Sequence, residues 1–171
     1  MNSCRITLNT KLTEEQQELY QKPELIQKLL RDSKTIAVVG LSTDKTKASN
    51  MVANYLQDSG YRVVPVHPTA KEILGEQAYP TIDAIPFAVD IVDIFRPSNE
   101  VNEIVRQAAA NGAKAVWMQL RIVNLEAANE AARQGMAVVV DKCIKMEHGR
   151  YGGMLHLAGM NTELISSRRA R

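Results

Sequence analysis

The sequence predicts an α/β protein: a single doubly wound, Rossmann-like domain with a parallel five-stranded sheet, in the order 3-2-1-4-5, flanked by helices. Three observations predict it. Short, nearly unbroken apolar runs recur along the chain, among them Ile36 to Val39 and Ala115 to Met118. Segments of helical periodicity separate them, several closed by glycine. The first apolar run leads through Gly40 and a polar turn straight into a helical pattern. Strands buried on both faces need helices on both sides and therefore pair in parallel, joined by right-handed crossovers.

Residues 1–20 are expected to form an N-terminal extension, in which Thr13-Glu-Glu-Gln16 has the form of a capping box. The main domain is expected over 21–150. Pro23 suits the first turn of a helix that lines up Leu25, Ile26, Leu29 and Leu30 on one face. After the first strand, a helix opens near Ser49 with Met51, Val52, Tyr55 and Leu56 at helical spacing, and Ser59-Gly60 stops it. Tyr61 to Val66 reads as the second strand, ended by His67-Pro68. A loop with Gly75 and Tyr79-Pro80, then a connector over 81–86, leads to a third strand from Val89 to Phe95. Pro97-Ser98 starts a helix over 99–110, closed by Asn111-Gly112. Ala115 to Met118 is the fourth strand, Asn124 to Gln134 the next helix, and Met136 to Val140 the fifth strand, ending in Asp141-Lys142-Cys143. From 144 onward the pattern is irregular, and 151–171 read as a tail whose basic end, Arg168 to Arg171, is a solvated face.

At 171 residues one domain is expected, with room for a core that needs no staples. A net charge of +2 argues against nucleic acid or a membrane surface as partner. Cys4 and Cys143 offer neither a disulfide framework nor a metal quartet. No apolar run approaches the ~20 residues of a membrane span, and Arg5, Lys11, Glu14 and Glu15 interrupt any signal-peptide core. The expectation is a cytoplasmic protein with reduced thiols.

In such a sheet, ligands bind beyond the carboxyl ends of the strands, where the order reverses beside the first strand. That rule selects Gly40 to Ser49, Val66 to Lys71, Phe95 to Ser98, Met118 to Arg121 and Asp141 to Cys143. The first of these is a strand–glycine–helix turn, in which unpaired helix amides and the helix dipole favour an anion. Lys45, Lys47 and the hydroxyls of Ser42, Thr43, Thr46 and Ser49 add donors. A dinucleotide fingerprint is missing, because Gly40 is the only glycine before Gly60 and no acid ends the second strand. A P-loop is missing too. What remains is a phosphate cradle with cations at Lys45, Lys47, Lys71 and Arg96, suited to a diphosphate with a further ribose phosphate.

Six blocks, Val38 to Ser42, Lys47 to Ser49, Gly60 to Pro68, Val89 to Arg96, Gly112 to Gln119 and Val139 to Cys143, together resemble the stand-alone CoA-binding proteins of the YccU type. These are similar to the CoA-binding domain of the succinyl-CoA synthetase alpha subunit. The resemblance implies a Rossmann-like domain, coenzyme A or an acyl-CoA as ligand, and no established reaction. It places the diphosphate on Gly40, Leu41, Ser42, Lys45, Lys47 and Ser49. The adenosine and its phosphate fall near His67, Pro68 and Lys71; Phe95, Arg96 and Pro97 border the adenine or pantetheine arm, and Gln119 closes the edge. One departure is Arg121, where the family usually has glycine.

A catalytic set is not visible. His67, His148 and His156 form no recognisable triad, and the synthetase's phosphorylated histidine belongs to a domain absent here. Cys143 is the candidate for thiol exchange, with Lys142 beside it to lower its pKa, against the reading of a structural cysteine. Asp90 and Asp93 fall three apart in a strand, on opposite faces. Trp117 reads as core, and no ligand spacing supports a metal. The expected function is therefore non-catalytic binding of CoA. The alternatives are a nicotinamide-dependent oxidoreductase or a CoA-linked exchanger using Cys143. A DNA-binding redox repressor is disfavoured, since too little chain precedes the first strand for a winged helix. The partner is a small nucleotide, with the chain a monomer or homodimer and a protein partner possible.

Overall fold

The computed structural model describes residues 11–152. Residues 1–10 of the expected extension and the expected tail from 153, including its basic end, lie outside the described residues. Helix α1, Glu14–Tyr20, opens on the capping box: Gln16 N donates to Thr13 Oγ1 and Thr13 N donates to Gln16 Oε1. Tyr20 is buried and its hydroxyl donates to Asn129 Oδ1 at 2.6 Å, so α1 is docked on the body of the protein. Helix α2, Pro23–Asp32, has its proline at N1 and buries Ile26 and Leu30.

Strand β1 spans Thr35–Val39, α3 Ala48–Asp58 and β2 Arg62–Val66. A two-residue hairpin follows, β3 Glu72–Ile73 with β4 Glu76–Gln77. Then come β5, Ile91–Ile94, a 3₁₀ turn over Ser98–Glu100 and α4, Val101–Asn111. Strand β6 is Ala115–Met118, α5 Leu125–Arg133, β7 Ala137–Val139 and α6 Ile144–Tyr151.

The main sheet has five strands, all parallel, in the order β2-β1-β5-β6-β7. The parallel, helix-flanked architecture is the expected one, but the order is not. Counting the sheet strands along the chain, it is 2-1-3-4-5 rather than 3-2-1-4-5. The third strand lies on the free side of β1 instead of outside β2. The handedness of crossovers explains how the chain achieves this. Stepping from β1 outward to β2 places α3 on one face. Stepping back across β1 to β5 then requires the opposite face, and Ile82, Ile85 and Val89 of that connection join the core of the face that carries α4 and α5.

Strand residues feed the two layers alternately, as the pleat dictates. Ile36 and Val38 pack with α2, α3 and α6, while Ala37 and Val39 pack with α4 and α5. Each Val, Leu or Ile removed from water contributes about 1.5–3 kcal/mol, so this double burial holds the strand ends, and the loops they carry, in place.

A second correction concerns α6, which falls where the sequence reads as irregular. Its buried positions are Ile144, Glu147 and Arg150. Only the first is aliphatic, so the buried face carries no apolar periodicity. Glu147 and Arg150 meet at 3.3 Å.

Candidate functional site

The order reverses between β1 and β5, so the turns that follow these two strands face each other at the carboxyl edge. Phe95 N donates to Val39 O at 2.9 Å, and Gly40 N donates to Val66 O at 3.2 Å. The turn after β1 is thereby pinned to both neighbouring strands. Gly40 has φ +81, and a Cβ built there would stand 2.8 Å from Arg96 Cδ and 3.1 Å from Phe95 O. Both the left-handed backbone and the close approach call for glycine.

Leu41 is fully buried and anchors the loop in the α3-side core. Ser42 N donates to the buried Ser49 Oγ at 3.1 Å, and Asn50 Nδ2 donates to Ser42 O at 2.8 Å. Asp44 folds the outer turn by accepting from Thr46 N and Oγ1, contacts that hold its carboxyl below the usual range. The loop hydroxyls thus brace the loop itself. Lys45 and Lys47 are exposed, and no side chain caps α3, whose N-cap is Lys47. The first-turn amides of α3 therefore stand without the side-chain acceptor that usually satisfies them.

His67 Nδ1 accepts from Thr69 N and Ala70 N, at 3.2 and 2.9 Å, which makes this histidine a turn brace after β2. Pro68 and Lys71 are exposed. Phe95 is half-buried against the α3-side core, and Pro97 is exposed at the N-cap of the 3₁₀ turn. Arg96 meets Glu100 through two contacts of 2.8 Å. The structure brings the Gly40 turn, His67 and Phe95–Arg96 to one edge. Gln119 differs: it is buried, and its Nε2 donates to Asp93 Oδ1 at 2.8 Å.

Asp93, expected only on the strand face opposite Asp90, is the partner of Gln119. It is fully buried in β5, and Oδ2 has no hydrogen-bond partner among the described residues. Burial pushes its carboxyl up to about 7, against the opposing pull of the Gln119 hydrogen bond. Asp90, just before β5, goes the other way. Burial pushes it up, but Lys114 and the Lys34 and Thr35 amides outweigh that and hold it well below the usual range. The two aspartates share no site, as their spacing implies.

Of the two readings of Cys143, the surroundings favour the structural cysteine over the acidic thiol. Burial pushes the thiol up more than the Met146 and Lys145 amides pull it down, and nearby Asp93 pushes it further. Trp117 is fully buried in the core, with Nε1 donating to Lys142 O at 2.7 Å. Arg121 has φ +68, is exposed, and donates its amide to Asp141 Oδ1 at 2.6 Å. This is the backbone a glycine adopts at no steric cost, and here it carries a side chain.

Two surface hollows lie elsewhere: about 580 Å³ beside Glu126, Asn129, Ala132 and Arg133 on α5, and about 290 Å³ around Phe87 and Asn111. Neither is lined by a residue of the β1–β5 mouth, and neither gathers loop amides and cations. Among the described residues no helix is long and apolar enough to cross a membrane, and no group of three or more His, Cys, Asp or Glu could hold a metal ion.

The sequence model of the CoA binding domain matches residues 34–149, from the lead-in to β1 through most of α6. The chain belongs to this CoA-binding domain family. Within the family, it is 38% identical over 123 residues to the uncharacterized protein YneT of Bacillus subtilis, covering 72% of this chain and 91% of YneT. It is 28% identical over 123 residues to the ADP-forming acetate–CoA ligase I of Archaeoglobus fulgidus, but spans only 18% of that enzyme. Among solved structures, a hypothetical protein from Pyrococcus horikoshii superposes with a TM-score of 0.74 at 38% identity, covering 76% of this chain and 92% of that one. The dinucleotide-forming acetyl-coenzyme A synthetase 1 of Candidatus Korarchaeum cryptofilum superposes with a TM-score of 0.56 at 28% identity, covering 63% of this chain and 26% of the synthetase. The domain therefore occurs both in short chains and as a fraction of CoA ligases.

Proposed function

We propose that the protein binds coenzyme A or an acyl-CoA at the β1–β5 mouth and does not transform it. The observation that carries this reading is Gly40, where a left-handed turn and the packed Arg96 stem bring the loop backbone and a guanidinium to one edge, ahead of a helix start that no side chain caps. In this reading, the main chain of residues 40–49 with Lys45 and Lys47 takes the diphosphate. His67, Pro68 and Lys71 lie by the adenosine and its 3′-phosphate. Phe95, Arg96 and Pro97 border the adenine or pantetheine, with the Arg96 guanidinium, carried over Gly40, within reach of the diphosphate, and Gln119 supports the mouth from within through Asp93. The binding unit is residues 21–150. Its occurrence inside CoA ligases supports a role as carrier, sensor or partner subunit.

Thiol exchange at Cys143 draws little support, because a thiol raised by burial holds little of the nucleophilic thiolate at neutral pH. The test is calorimetric titration with CoA, 3′-dephospho-CoA and NADH. CoA should bind, and removal of the 3′-phosphate should weaken binding about tenfold or more, the loss of a charge-assisted contact. Tighter binding of NADH than of CoA would overturn the reading.

A further inference from the structure

We infer that Glu100 acts as an intramolecular stand-in for the ligand's phosphate, holding Arg96 until an anion binds and giving it up then. The inference rests on the CoA-binding reading and adds to it a residue that sets affinity. The Arg96 stem lies over Gly40, with Cδ 2.8 Å from the place a Cβ would take there. That packing leaves the stem beside the anion loop, and what remains to be set is where the guanidinium points. Two parallel contacts to one carboxylate set it: Nε to Oε2 and Nη2 to Oε1, each 2.8 Å. The same planar fork takes a phosphate as readily as a carboxylate.

Glu100 is placed to let go. It ends the 3₁₀ turn that leads into α4, so its charge stays favourable at the helix start when Arg96 leaves. Both side chains are near half-exposed, 46% for Arg96 and 40% for Glu100, so water replaces the pair at small cost. An arginine held this way is pre-aimed yet blocked, and binding must break an ion pair before it makes a new one.

The experiment is a double-mutant cycle read as Kd for CoA by calorimetry, on wild type, E100Q, R96A and R96A/E100Q. Glu100→Gln should tighten CoA about two- to five-fold, the strength of an exposed ion pair expressed as a ratio. Arg96→Ala should weaken CoA, and in that background Glu100→Gln should change nothing. An equal gain with and without Arg96 overturns the inference, since it marks a diffuse effect of one less negative charge. So does an unchanged or weaker Kd for E100Q when the wild type binds. Failure of the wild type to bind CoA at all instead sinks the binding reading, and the inference with it.

Discussion

Gly40→Ala separates the two demands that this position makes. The first is conformational: at φ +81 a residue with a Cβ costs roughly 1–2 kcal/mol. The second is crowding, because the new methyl meets Arg96 Cδ at 2.8 Å and Phe95 O at 3.1 Å. The arginine stem can swing aside, but the Phe95 carbonyl belongs to a residue whose amide is bonded to Val39 O, so β1 and β5 must separate. Overpacking of this kind adds about 1–2 kcal/mol, for a total of about 2–4 kcal/mol, or roughly 4–16 °C in Tm at this chain length. Gly75→Ala is the control, since Gly75 has φ +76 and nothing within 4 Å of a built Cβ. It carries the conformational cost alone, and the entropy change in the unfolded chain is common to both variants. Urea denaturation of the two variants, followed by circular dichroism, reads the difference directly. If Gly40→Ala is no more destabilising than Gly75→Ala, the contact between the two turns does not constrain the mouth. If folded Gly40→Ala binds CoA as wild type does, the loop is not where the ligand sits.

Asp93→Asn should change how stability depends on pH. With an ordinary value of 3.8 and a folded value near 7, Asp93 keeps its proton in the folded chain between these pH values while the unfolded chain has lost it. Its contribution is therefore complete below pH ~4 and disappears as pH rises to ~7. Relative to wild type, Asp93→Asn should gain stability as pH increases from 4 to 8 in urea midpoints, and a flat difference would refute the raised pKa. Cys143→Ala should leave CoA affinity within about twofold, because a half-buried, protonated thiol is a packing group. A larger loss in calorimetry would return Cys143 to the ligand site.

The elements were legible where local chemistry decides them. Ala115–Met118 is a strand because four consecutive buried positions need four apolar side chains. Asn124 caps α5 through Ala127 N, and Thr13 and Gln16 cap α1 reciprocally, each a signal contained within a few residues. Helix α6 was hidden because its buried face spends two of three positions on the Glu147–Arg150 pair, which an apolar count cannot see. The enclosure of Asp93 was hidden for a related reason. Its spacing from Asp90 says only that the two lie on opposite faces, and not that one of them is fully buried with Gln119 as its partner.

The strand order was not legible, because nothing local encodes on which side of β1 the third strand settles. That single difference redistributes the site residues. In the order 3-2-1-4-5, the reversal lies between the first and fourth strands, and the Gly40 turn faces Gln119 across the crevice. In the observed order β5 comes between them: Phe95 N bonds to Val39 O, and Gln119 N reaches only Ile94 O, at 3.4 Å. Phe95 and Arg96 thus take the position opposite Gly40, and Gln119, one strand further out, turns inward to Asp93. The cation that faces the Gly40 turn is therefore set by topology, and Arg96 lies there only because the chain crosses back over β1 before it lays down β5.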